Sequence, residues 1–135
     1  MPYLIDKSAL ARMRHPRVQA RLEPILEAGE AATCAIVDLE VLYSVRNARE
    51  HARTRRRRAL AYHRLEMTEA MFRRAIDVQG LLALRGHHRV PIPDLVIAAV
   101  AEQAGVVLLH YNADFDRIAA VTGQEMEWVA PRGSV

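Results

Sequence analysis

A single cysteine, Cys34, and a single lysine, Lys7, stand in a chain of 135 residues, and aromatic side chains make up only 5% of it. One thiol excludes a disulfide within the chain and suits a reducing compartment. With so few aromatics, the core falls to Leu, Ile, Val and Ala, within a hydrophobic fraction of 51%. No apolar run approaches the ~18 residues of a membrane-spanning helix; the longest covers residues 95–101. Asp6 lies near the start and no basic-then-apolar leader precedes it, so we expect no signal peptide and a cytoplasmic location. No His or Cys pair has zinc spacing. The glycines form no phosphate-cradling loop, and neither Ser8 nor Ser44 sits in a nucleophile elbow. A phosphoacceptor receiver domain would want a lysine after a late strand, and Lys7 is in the wrong place for that.

What the chain does carry is arginine. Every basic residue except Lys7 is one, and the formal charge is +3. The planar guanidinium fork bonds two phosphate oxygens together, so this bias favours a polyanionic partner. The length suits one domain, residues 1–135, able to bury about two-thirds of its unfolded surface.

Apolar patterning divides the chain into alternating strands and helices. Tyr3-Leu-Ile reads as a strand that delivers Asp6 at its carboxyl end. A short helical turn over residues 9–13 precedes a helix over residues 17–28, which Pro24 should kink or split. Residues 31–37 form a second candidate strand, and Asp38 then reads as the cap of a helix carrying Glu40. With the charged helix over residues 48–64, that helix makes a hairpin whose second arm faces solvent. Residues 65–67 suggest a brief extended piece. Thr68 caps a long helix through Phe72, Ile76, Leu81 and Leu84 to Gly86.

The stretch over residues 91–116 gives a helix to Ala104, a turn at Gly105, and a buried strand over residues 106–109. A last helix follows Asp116, then a strand over residues 126–129 in which Trp128 packs, and a loose tail from Pro131. Strands alternating with helices predict an α/β domain on a parallel sheet.

Four segments place an acid at or just beyond a strand end or at a helix start: Asp6, Glu40, Asp94 and the pair Asp114 and Asp116. Singly, each has a structural reading. Asp94 and Asp114 suit helix caps, Glu40 a solvated helix face, and Asp116 a complement to a helix dipole. Together, at one sheet edge, they would raise one another's pKa unless a cation stood between them. An all-oxygen set points to Mg²⁺ or Mn²⁺, which can clamp a phosphodiester, activate water and stabilise the leaving oxygen. Ser8 is placed to hydrogen-bond a carboxylate or a metal-bound water.

The order Leu-Ile-Asp6-Lys-Ser8, Val-Asp-Leu-Glu40-Val-Leu, Ile-Pro-Asp94-Leu-Val-Ile-Ala-Ala and Asn-Ala-Asp114-Phe-Asp116 resembles a PIN domain, and within that family the VapC toxins of toxin–antitoxin pairs. The resemblance runs over essentially the whole chain. It implies a three-layer α/β/α sandwich on a parallel sheet with a protruding helical hairpin, and a Mg²⁺-dependent endoribonuclease, with Mn²⁺ as a substitute ion. Asp6 and Asp94 match the principal metal ligands, Glu40 and Asp114 the other acids of the pocket, Asp116 a frequent extra acid, and Ser8 the small hydroxyl residue of the first motif. Lys7 departs from the family, where a small or hydroxyl residue is commoner.

The resemblance also implies RNA as substrate, RNA products with a 5′-phosphate and a 3′-hydroxyl, and a homodimer. It further implies a cognate VapB-like antitoxin along the hairpin, here residues 38–64, in a heterotetramer or larger assembly. The arginine run over residues 53–58 then reads as an RNA contact, an antitoxin-docking face or a solvated helix face. A non-catalytic PIN-like module that binds RNA or a protein is the alternative, and loss of one or more acids would be its mark.

Overall fold

The computed structural model describes residues 2–135. Its strands β1 (Tyr3–Ile5), β2 (Ala31–Thr33), β3 (His63–Arg64), β4 (Val107–His110) and β5 (Met126–Trp128) form one parallel sheet in the order β3-β2-β1-β4-β5. The helices are α1 (Lys7–Leu10), α2 (Pro16–Glu27), α3 (Ala35–Tyr43), α4 (Ala48–Ala61), α5 (Glu69–Ala83), α6 (Ile92–Ala104) and α7 (Asp114–Thr122). Successive strand residues point to opposite faces, and this divides the interior. Leu4 and Leu108 join a core with α3, α5, α6 and α7, whereas Ile5 and Leu109 join one with α1 and α2. The result is the expected α/β/α sandwich. β1 and β4 are paired with Ile5 opposite Leu109. The chain leaves β1 toward β2 on one side and reaches β4 on the other, so their carboxyl ends flank the crevice where open parallel sheets bind ligands.

α6 is the central helix. Residues 95–101 are all buried, which explains their unbroken apolar run, and Gly105 at φ 69° closes the helix in the left-handed region. α2 runs continuously through Pro24, so the helix is not split there. Pro24 and Ala20, whose carbonyl loses its partner, are both exposed, so water can satisfy that oxygen. The inward face is Val18, Leu22 and Ile25.

The second strand is shorter than the apolar pattern suggests. It ends at Thr33, Cys34 takes the N-cap position, and Ala35, Ile36 and Val37 already belong to α3. A short apolar run fits either period, and here the buried Val37 sits on a helix. Asp38 is therefore not a cap. Its Oδ1 accepts from Arg58 Nε at 2.9 Å and Thr33 Oγ at 2.9 Å, and its Oδ2 from Arg64 Nη1 at 2.8 Å. Arg58 also donates to Thr33 Oγ at 3.0 Å and lies 4.3 Å from the Tyr62 ring centre. The second arm of the hairpin thus does not face solvent throughout: Arg58 is buried and ties α4 to the end of β2.

The extended piece after the hairpin is His63–Arg64, paired with β2, rather than residues 65–67. Thr68 does cap α5, accepting from Met71 N at 3.4 Å. That helix ends at Ala83 and buries Met71, Ala75, Val78 and Leu82, leaving Phe72, Ile76, Leu81 and Leu84 exposed. α7 starts at Asp114, earlier than expected. The tail folds back: the Tyr111 hydroxyl donates to the Val135 carbonyl and accepts from its N–H, each at 3.1 Å. Among the described residues no helix is long and apolar enough to cross a membrane.

Candidate active site

Asp6 follows the last residue of β1 and caps α1, with its backbone N–H bonded to the Leu109 carbonyl at 2.9 Å. Its Oδ2 accepts from Ser8 N at 2.9 Å and Ser8 Oγ at 2.5 Å. Ser8 Oγ in turn accepts from Tyr111 N at 2.9 Å, so one hydroxyl fastens the end of β1 to the loop after β4. Asp6 is buried, and its Oδ1 has no hydrogen-bond partner. Leaving such an oxygen unpaired costs on the order of 1–3 kcal/mol, more when it is charged.

Asp94 enters from the first turn of α6. The N-cap position belongs to Pro91, so Asp94 is not the cap that its place in the sequence suggests. The carboxyl is buried, and its Oδ2 accepts from Asn112 Nδ2 at 3.3 Å. Burial, and then the charges of Asp6, Asp114 and Glu40, push its pKa up to about 7, with the Asn112 bond opposing. Glu40 projects from α3. Burial and then the Asp6 charge hold its carboxyl above the usual range, against the opposing charge of Lys7. Four acids from four segments therefore share one electrostatic field.

Asp114, in the first turn of α7, is half-buried, with Arg117 Nη1 at 3.6 Å. Its N–H donates to Asn112 Oδ1 at 3.0 Å. Asp116 turns another way: it is exposed, and its Oδ1 accepts from Trp128 Nε1 at 3.0 Å.

The sequence reading passed over Asn112 and His110. Asn112 precedes Asp114 by two residues, the spacing at which an asparagine side chain accepts from the backbone two residues on, and that pattern was the available signal. His110 ends β4 fully buried, with Phe115 and Trp128 ring centres at 5.0 and 5.1 Å. Burial lowers its pKa and keeps the ring neutral, with Nδ1 accepting from Asn112 N at 3.1 Å. Trp128 thus packs as expected of the last strand, and its ring NH also reaches Asp116.

Among the described residues no three His, Cys, Asp or Glu side chains are already arranged to enclose a metal ion. The donor set nevertheless fits a hard divalent cation. Its atoms are carboxylate oxygens, one of them is buried without a donor, and the groups repel one another in a way a cation would relieve. Beside Glu40 a groove of about 290 Å³ opens between Lys7, Ile36, Leu39, Tyr43 and Pro93.

Comparison with known proteins gives a consistent outcome. A PIN domain family model matches residues 3–121. Ribonuclease VapC51 of Mycobacterium tuberculosis (strain ATCC 25618 / H37Rv) is 46% identical over 135 residues, covering 100% of this chain and 98% of that protein. Ribonuclease VapC21 of the same strain is 47% identical, covering 98% and 96%. In fold, the chain is similar to VapBC-1 from nontypeable Haemophilus influenzae, with a TM-score of 0.77 at 18% identity over 96% of this chain and 98% of the other. VapBC2 from Rickettsia felis, bound to a DNA fragment from its promoter, gives 0.76 at 17% over 95% and 98%.

Proposed function

This chain belongs to the PIN-domain family and to its VapC group, and we propose that it is a divalent-cation-dependent endoribonuclease, the toxin of a toxin–antitoxin pair. The observation that carries this reading is the unpaired, buried Asp6 Oδ1 in the same field as Asp94, whose pKa burial and then three neighbouring carboxylates lift. Asp6 and Asp94 would hold the ion, Mg²⁺ or Mn²⁺, with Glu40 and Asp114 engaging it directly or through water. When bound, such an ion supplies a nucleophile at neutral pH and charge stabilisation for a phosphodiester. The residues supply the rest. Ser8 fixes the rotamer of Asp6, Asn112 holds Asp94, and Lys7 stands beside Glu40 as a cation for substrate phosphate. Asp116, held by Trp128, supports the wall of the site.

The relatives named as ribonucleases support RNA as substrate. The exposed arginines of α4, Arg53, Arg55, Arg56 and Arg57, are available for phosphate contacts, whereas Arg58 is committed to Asp38. The VapBC complexes of the same fold support a VapB-like antitoxin as partner. The groove beside Glu40, rimmed by the exposed Leu39 and Tyr43, is where its segment would dock along α3 and α4. A second apolar groove, about 250 Å³, lies between α5 and α6 with Phe72, Ile76 and Ile92 exposed at its edge. That face suits a homodimer, since monomers rarely leave such a patch open.

The direct test substitutes the two buried acids. Asp6→Asn and Asp94→Asn each keep the side-chain shape, and each is expected to abolish Mg²⁺-dependent RNA cleavage and growth arrest while circular dichroism stays unchanged. Cleavage at the wild-type rate by either variant would sink the assignment.

A further inference from the structure

Asn112 makes three hydrogen bonds in three directions. Its N–H donates to His110 Nδ1 at 3.1 Å, its Oδ1 accepts from Asp114 N at 3.0 Å, and its Nδ2 donates to Asp94 Oδ2 at 3.3 Å. Asp94 stands on α6 and Asp114 on α7, so one side chain spans the two helix starts that contribute acids. Its own base is rigid, because His110 is fully buried between Phe115 and Trp128 and presents Nδ1 as an acceptor.

We infer that Asn112 is a positioning residue for the cation site: it holds Asp94 and the start of α7 at a fixed separation before any ion binds. This rests on the proposed divalent-cation nuclease. The chemistry of the side chain explains the choice. An amide offers a donor and an acceptor in one plane and carries no charge. A carboxylate at this place would still accept from Asp114 N but would repel Asp94, and a serine or alanine would not reach Asp94 at all. Carboxylates that repel one another turn apart when free, and the amide bridge opposes that before the ion arrives. Partners that orient ligands from behind typically contribute 10–100-fold in metal affinity.

The test separates bridging from capping. Mn²⁺ alone is titrated, with free ion read by electron paramagnetic resonance, into wild type, Asn112→Ser, Asn112→Ala and Asp6→Asn. Asn112→Ser keeps an oxygen for Asp114 N, so its melting temperature is expected to stay near wild type while Mn²⁺ binding weakens about tenfold. Its RNA cleavage is expected to need correspondingly more Mn²⁺ and to recover the wild-type kcat at saturation. Asn112→Ala is expected to lose similar affinity and to melt lower as well. Wild-type Mn²⁺ affinity in Asn112→Ser, with Asp6→Asn weakened, overturns the bridge alone. Cleavage that no Mn²⁺ concentration restores also overturns it, because Asn112 would then act in the chemistry itself. Wild-type affinity in Asp6→Asn overturns the cation reading beneath it.

Discussion

At Asp94, burial and three neighbouring carboxylates act in one direction, from an ordinary 3.8 to about 7. A folded-state value above the unfolded one means that the folded chain holds an extra proton between about pH 4 and pH 7. Stability of the metal-free protein therefore falls as pH rises across that window and levels off above it. Glu40 is lifted too, and adds in the same sense. The melting temperature of metal-free protein is expected to drop between about pH 4 and pH 7, to drop less in Asp94→Asn, and to be raised more by Mg²⁺ at the upper pH. A wild-type curve that climbs across the window would contradict this account. At this scale the sequence was readable for the acids themselves, since each stands near an element boundary that the hydrophobic pattern marks. For Asn112 only its bond to Asp114 N was readable, from the spacing of two residues; its bridge to Asp94 and the place of His110 were not. Their parts come from Asp94, Phe115 and Trp128, and Asp94 and Trp128 lie 18 residues away from Asn112 and His110 respectively.

The hairpin of α3 and α4 shows what an element adds. Residues 53–58 look alike in sequence, five arginines and a threonine, and a charged run ordinarily means a solvated face. The helical turn brings Arg58 alone of these arginines inward, where Asp38 and Thr33 meet it, and the others remain exposed. Removing one member of a buried ion pair costs roughly 3–5 kcal/mol, whereas an exposed arginine costs within about 0.5 kcal/mol. In urea unfolding, Arg58→Ala is expected to lose several kcal/mol and Arg57→Ala almost nothing; equal midpoints for the two would show that the buried network is not what fastens the hairpin. The same network explains why Asp38 resembled a cap. Aspartate near the end of an apolar run is the usual sign of one, and only the return of α4 to the sheet gives it two arginine partners instead.

For the whole molecule, the order β3-β2-β1-β4-β5 is what turns four scattered acids into neighbours, by putting the ends of β1 and β4 side by side. Alternation of strands and helices was enough to foresee a parallel sheet, and the resemblance to a known family supplied the layering. Which face of α5 is buried was not foreseeable from its apolar residues, because the helix carries two such stripes. Met71, Ala75, Val78 and Leu82 meet α6 and α7, and Phe72 and Ile76 are left at the surface groove with Ile92. A surplus stripe of this kind bears on assembly. Ile76→Glu, 66% exposed in the wild type, is expected to leave the melting temperature of the fold nearly unchanged but to halve the mass seen by light scattering. An unaltered mass would place the self-association surface elsewhere.

Cys34 can serve as an instrument. The only thiol sits fully buried at the junction of β2 and α3, and its burial holds its pKa high, so little thiolate forms at neutral pH. A thiol reagent can reach it only when α3 lifts from the sheet end. The labelling rate is then a clock for that opening. Run with and without Mg²⁺, it would time how far an ion at the acid cluster steadies the helix that carries Glu40.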